Sequence, residues 1–473
     1  MTHAVNSLQF EVTCPDEEMS FNLRKNFAQT FQLEIAEIIE KVCATHISED
    51  EDLKIDKLEL DLGAFSRHTF GTDFKNVLSA KLERELTKIL SEIAPAKRQV
   101  SRQLSKSEIL LYFLINGTLP WWADETEISL DEICADVFIK QGNLFRHFFF
   151  QNKLKEKIWQ RISWQLNDHS KRLVINLSID LKKALEIFNG WVSKLVDNIR
   201  GLKSTGSQFA NINDAQIINN ESVINDTLIK NAPEIFANIE DVAVLAQIFK
   251  TYIDEVFEQN KALSGPVITE FTNISTAGNT ETITKPGEIQ TEKAGDLISS
   301  GYAVEEAAEK YSVKYAGIVL LAPFLKPFFS ELNLLDNGEW KNIDCTFRGV
   351  HLLKFLSNGH RQTPEYSLVI EKILCGLPVD MPVPLNVAFE DGEIEEAESL
   401  LKAVITHWTA LKNTSIDGLR EAFLKRDGLL TKKDNNWLLQ VERKTMDVLL
   451  ENIPWGYSTI SLMWNNYLLS VEW

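Results

Sequence analysis

The residues equipped for chemistry are eight histidines, five cysteines and several acidic runs. Paired histidines at helical spacing hold zinc, spaced cysteine pairs hold zinc or form disulfides, and alternating carboxylates around a central glycine hold calcium. None of these spacings occurs. His3, His46, His68, His147, His169, His351, His360 and His407 form no H-E-x-x-H. Cys14, Cys43, Cys134, Cys345 and Cys375 are far apart with no C-x-x-C pair, which fits a reducing compartment. The run "EDGEIEEAE", Glu390 to Glu398, lacks the calcium-loop pattern and reads as a solvated stretch leading into a helix N-terminus, where carboxylates complement the macrodipole. There is no G-x-S-x-G elbow, Walker A loop or G-x-G-x-x-G turn. The chain is therefore expected to carry no catalytic, cofactor or metal residues. The side chains that stand out are aromatic: Trp121 and Trp122 in "GTLPWWADE", Trp408 in an apolar helical stripe, and Trp455, Trp464, Tyr467 and Trp473 near the end. Their expected role is structural or partner contact.

Those residues need elements to position them. A chain of 473 residues exceeds one ordinary core and suggests several folding units. The net charge of -19 argues against a nucleic-acid partner, because such binding draws on clustered Lys and Arg. The N-terminal stretch shows no basic region followed by an apolar one, so no signal peptide is expected. "YAGIVLLAPFLKPFF", Tyr315 to Phe329, is too short to span a bilayer and is interrupted by Pro323, Lys326 and Pro327; it reads as a buried core helix, not a stable membrane insertion.

Periodicity gives a mainly α fold with small α+β parts. Residues 1–95 read as strand, helix, strand, helix. Leu23, Phe27, Phe31, Ile35, Ile38, Ile39 and Val42 lie on one helical face, and Leu58, Leu60 and Leu62 alternate with polar residues as a half-buried strand ended by Gly63. Residues 100–200 are helical and aromatic-rich. Phe148, Phe149 and Phe150 cannot share one helix face, so a second surface, another helix or a partner protein, must meet at least one of them. Residues 201–263 read as a linker with a helical island, and 264–301, rich in Thr, Ser, Gly and Pro, as a flexible linker. From 307 to 473 a helical domain ends in a β-hairpin, and "WLLQVER" reads as a strand within it.

"LLYFLING", Leu110 to Gly117, recurs as "LLKFLSNG", Leu352 to Gly359. Either duplication or shared helix-stopping chemistry explains the pair, since Asn-Gly suits a left-handed stop. The final hairpin, with a tight loop at Asn465-Asn466, pairs Trp464 with Tyr467, Leu462 with Leu469 and Ile460 with Val471 on one apolar face. Such a face either packs on a core or serves as an edge for a partner.

The segments "GIVLLAPFL", "RGVHLLKFLSNG", "ILCGLPVDMPV", "VITHWTALKNTSIDGLREAFLKRDGLL", "WLLQVERKTMDVLLENIPWG" and "VEW", in that order, resemble the tape measure protein family of bacterial contractile injection systems, phage-tail-like particles that drive a tube through a target envelope. "IDKLELDLG" and "GTLPWWA" continue the resemblance upstream. It implies a non-enzymatic role in setting inner-tube length and in linking to the inner tube, spike hub or baseplate proteins. It also implies assembly in the cytoplasm before residence inside the particle. A single helix of this length would span roughly 700 Å, but the scattered prolines and glycine-rich breaks leave only a sub-segment able to measure length. A globular adaptor or cargo-binding component of the same particle and a secreted effector enzyme are the alternatives.

Overall fold

The computed structural model describes residues 5, 8, 11–14, 16, 17, 20, 21, 32–46, 55, 58–65, 70–92, 95–203, 221–257, 266–269, 271–272 and 310–473. They fall into two compact units. One comprises Met1–Leu111 with Leu119–Ile128, the other Tyr112–Thr118 with Ser129–Trp473.

In the first unit, α1 (Gln32–His46) packs on α2 (Phe70–Glu92). The expected helical face is the buried one where it is described: Ile35 and Val42 meet Phe74, Leu78, Leu82 and Leu86. Leu23, Phe27 and Phe31 lie outside the described residues, as does much of the first expected strand. The second expected strand shows the burial of a strand without its ladder. Leu58, Leu60 and Leu62 turn half-buried onto α1 and α2 while Glu59 and Asp61 face outward. No partner strand pairs with this stretch among the described residues. Period-two burial needs only an extended chain on an apolar surface, so alternation alone overstated it. The third helix, α3 (Pro95–Asn116), belongs to the first unit as far as Leu111 and to the second from Tyr112 onward.

In the second unit a bundle comes first. Its helices are α4 (Leu130–Lys140), α5 (Gly142–Gln151), α6 (Glu156–Gln165), α7 (Asp168–Leu177), α8 (Ile179–Lys203), α9 (Glu221–Lys230), α10 (Ala232–Asn238) and α11 (Val242–Val256). Side chains of Ser129, Asn167 and Asp241 accept from the orphan N–H groups at the starts of α4, α7 and α11. The triple phenylalanine divides as its geometry demands. Phe148 and Phe149 are buried among Phe138, Phe145 and Trp159, whereas Phe150 is 68 % exposed with the Lys153 ammonium 5.3 Å above its ring. Of the expected linker, residues 266–269 and 271–272 are helical, and Phe271 packs on Phe249 and Trp191. The remainder of 264–301 lies outside the described residues.

The C-terminal part has its own core. Strand β1 (Lys310–Val313) leads into a 3-10 turn, Ala316–Leu321, and α12 (Ala322–Glu331). The apolar segment that invited a membrane reading is thus a buried turn and a core helix, and no described helix is long and apolar enough to cross a membrane. After β2 (Leu335–Asp336) and β3 (Glu339–Trp340) come α13 (Ile343–Asn358), α14 (Val369–Leu374) and α15 (Asp391–His407). A sheet follows: β4 (Gly428–Lys433), β5 (Asn436–Val441), β6 (Thr459–Ile460) and β7 (Leu469–Glu472). Its strand order is β1-β4-β5-β7-β6, with β5 and β7 parallel and the other neighbours antiparallel. The strand expected at "WLLQVER" is β5. Strands β1 and β4 lie within the expected helical domain 307–473, β4 starting where the helix expected to close at Asp427-Gly428 ends.

The terminal hairpin is displaced from its expected register by two residues. Ile460 faces Leu469 instead of Val471, and Thr459 faces Ser470 instead of Glu472. An even shift keeps every side chain on its expected face. The connection is residues 461–468, not a tight Asn465-Asn466 loop, because Trp464, Asn465 and Tyr467 turn inward instead of pairing across the strands.

Candidate functional site

The short helix α14 explains that inward turn. A helix leaves its last carbonyls without intrahelical partners, and burying them unpaired is costly. Here aromatic side chains supply the donors. Trp464 Nε1 donates to Leu374 O at 2.8 Å, Trp340 Nε1 to Cys375 O at 2.9 Å, and Tyr467 Oη and Asn465 Nδ2 both donate to Ile373 O. The rings of Trp464, Trp340 and Phe329 close over the same place, with centroids 4.8–5.7 Å apart.

The other nominated aromatics follow the same logic. Trp408 has no exposed surface and donates to Leu449 O at 3.1 Å with its ring 4.7 Å from Phe423. Trp455 donates to Leu320 O at 2.9 Å and meets Phe324 edge-on. Trp473 donates to Asp447 Oδ2 at 3.0 Å, and the buried Arg426 donates to Asp447 Oδ1 at 2.9 Å. Trp122 is half-buried in the first unit, and Trp121 is 49 % exposed there. The structure therefore brings Trp464 and Tyr467 together on α14 and Trp408 and Trp455 together, while Trp121 and Trp122 belong to the other unit.

Sequence reading missed a buried set of charges. Arg161, Glu365 and Lys372 are all fully buried. The Arg161 guanidinium lies 3.1 Å from Glu365 Oε1, and the Lys372 ammonium lies 2.8 Å from the same oxygen. Arg161 also donates to Leu114 O and Ile115 O at 3.0 and 2.9 Å, and to Asp380 O. Burial holds the Lys372 ammonium below its usual range, although the Glu365 carboxylate pulls the other way. Nearby, the Lys354 ammonium is 3.2 Å from Glu371 and 4.1 Å from the Tyr315 ring centre. No local motif announces such a set, because Arg161 stands 204 positions before Glu365.

The repeated octamer is where these charges meet the backbone. Gly117 and Gly359 both take the left-handed conformation, φ 73° and 75°. Each donates its N–H to the carbonyl four residues back, Phe113 at 2.7 Å and Phe355 at 2.8 Å. Each helix end is then capped by an arginine from far along the chain: Arg161 at the first, and Arg420 at the second, which donates to Leu356 O and Phe355 O. The two octamers thus share a stop and a guanidinium cap.

Among the described residues the histidines and cysteines form no such constellation. Among the described residues no group of three or more His, Cys, Asp or Glu could hold a metal ion. His351 is buried and meets Pro384 O at 2.7 Å, and burial lowers its pKa despite that carbonyl's opposing pull. His407 stacks on Phe324. Burial raises the Cys375 thiol well above its ordinary value, with Glu371 adding to the effect, so it stays protonated and unreactive.

What the polar side chains share is anchorage: indole, phenol and guanidinium groups close helix ends, and the body they fasten is a mainly α protein with a small mixed sheet. The chain belongs to the contractile injection system tape measure protein family, whose family model matches residues 2–473. No curated protein and no solved structure matches the chain.

Proposed function

We propose that this protein sets the length of the inner tube during particle assembly and links that tube to spike-hub or baseplate proteins, without catalysing a reaction. The observation that carries the reading is the family match along essentially the whole chain, residues 2–473. Assembly takes place in the cytoplasm, and the protein then resides inside the particle. Trp121, exposed to 49 % on its turn, is the nominated aromatic best placed for contact with a particle component. The test is negative-stain electron microscopy of particles made with and without this protein. Under this reading its loss gives tubes that are absent or of scattered length.

A second reading, a globular adaptor or cargo-binding component, is favoured by the compactness of each of the two units taken by itself. The helix Ile179–Lys203, 25 residues long, reaches only about 38 Å. In the same experiment an adaptor's loss leaves tubes of normal length that lack cargo.

A further inference from the structure

Helix α6 has two unlike faces. Ile158, Trp159 and Ile162 are buried in the bundle, where Trp159 meets Phe149 and Phe236. Lys157, Arg161, Trp164 and Gln165, spaced i, i+4, i+7 and i+8, form a second stripe, and each reaches residues beyond 310. The Lys157 ammonium is 2.6 Å from Asp380, Arg161 pairs with Glu365, and Trp164 meets Phe347 edge-on. Gln165 makes a two-point contact with backbone: its Nε2 donates to Val383 O at 2.7 Å and its Oε1 accepts from Glu365 N at 3.0 Å.

The apolar side of this contact is thin. Among the described residues every buried member of the C-terminal core lies between Val313 and Val471; Trp164 reaches it from α6, and beside it Phe113 meets Tyr366 edge-on at 6.0 Å. Two hydrophobic cores thus meet across a polar seam in which Arg161, Gln165, Glu365 and Lys372 are buried and Lys157–Asp380 lies at the exposed edge. A buried polar seam is selective, because any displacement leaves charges and carbonyls unpaired. Each side nonetheless has an apolar core of its own.

We propose that residues 310–473 form a module whose docking surface, centred on Glu365, Lys372 and the backbone at Asp380 and Val383, recognises the polar stripe of α6. This recognition does not depend on chain continuity through residues 273–309. The module and the bundle are thus non-covalent partners within one chain.

The experiment uses the full chain with a site-specific protease sequence inserted within 273–309, cut after purification and run on size-exclusion chromatography over a dilution series. The cut wild type is expected to elute as one species at the uncut volume. Arg161→Met, still folded by circular dichroism before cutting, is expected to weaken the association of the two fragments by roughly a hundredfold or more. Gln165→Leu leaves the ion pairs in place and removes the two-point contact, so it gives an independent reading should Arg161→Met fail to fold; a clear loss of association is expected there too. Separation of the wild-type fragments on cutting overturns the proposal. So does association of the folded variants' fragments as tight as the wild type's.

Discussion

Arg161 and Glu365 are 204 positions apart in the chain and 3.1 Å apart in space, and neither side chain has any exposed surface. Lys372 shares that Glu365 oxygen, so removing Arg161 leaves the carboxylate one partner but strips the Leu114, Ile115 and Asp380 carbonyls of their donor, each buried unpaired group costing about 1–3 kcal/mol. Arg161→Ala should therefore lower unfolding stability by about 3 kcal/mol or more, a large share of the ~5–15 kcal/mol a native domain holds. Chemical denaturation of the full chain measures it, and a loss below ~1 kcal/mol would mean that the guanidinium is replaceable.

The two glycine stops should differ in their tolerance. A methyl at Gly117 would sit 2.2 Å from Glu365 Oε1 and 2.7 Å from Arg161 Nη2, whereas one at Gly359 would meet only the tip of Arg420 at 3.0 Å. Both substitutions carry the left-handed backbone cost of roughly 1–2 kcal/mol. Gly117→Ala should add the disruption of a buried ion pair, and Gly359→Ala only a small displacement of a partly exposed side chain. Equal melting shifts for the two variants would contradict this.

Removing Tyr457–Trp473 should abolish cooperative melting. The deletion takes away β6, β7 and the donors to Ile373 and Leu374, and each large apolar group lost from the core contributes about 1.5–3 kcal/mol. The milder Trp464→Phe keeps a ring but leaves the Leu374 carbonyl without its indole, a loss of about 1–3 kcal/mol. An unchanged melting curve for the truncated protein, together with failed particle assembly, would instead favour the tail as an edge for a partner.

His351 predicts a pH dependence of stability. Its folded pKa is lowered by burial, so the unfolded chain binds its proton more readily. The associated stability is fully present above the unfolded value of about 6.5 and is lost as pH falls from there toward the folded value. The slope from this one proton is at most about 1.4 kcal/mol per pH unit. His351→Gln retains a donor for Pro384 O and should flatten the melting-temperature profile below pH 6.5. A profile identical to the wild type's would assign the slope to other groups.

Length added within residues 273–309 should not lengthen the tube. On one side Phe271 packs on Phe249 and Trp191, on the other Lys310 pairs with Thr431, and both anchors belong to the second unit. Inserting about twenty residues, which as helix would reach ~30 Å, and deleting a matched number should leave mean tube length unchanged by electron microscopy. Paired shifts of opposite sign would show that this stretch spans the lumen.

The parts of the fold that local pattern dictates were readable. The stripe of α15 ending in buried Trp408, the apolar face of α1, strand β5 and the glycine stops at 117 and 359 all follow from periodicity and from glycine's backbone freedom. What failed to show was set by distance in sequence. Strand β4 begins shortly after a helical turn, Arg420–Leu424, and forms because β1 and β5 flank it. The hairpin register slipped because α14, far upstream, draws Trp464 and Tyr467 out of the ladder. Arg161, Glu365 and Lys372 read as ordinary surface charges until α6 is placed against α14.

The position of β7 has a consequence for synthesis. This strand is the last part of the sheet to be made, yet it lies between β5 and β6 instead of at a margin. Until residues 469–472 emerge, β5, with Trp437, Leu438 and Leu439 in sequence, presents an unpaired margin to the surroundings. A chain cut short before residue 464 thus has an adhesive flank and also lacks the Trp464 donor to the end of α14. Such a chain is prone to aggregate or to be degraded. Pairing of β7 closes that margin and joins β6 to the rest of the sheet.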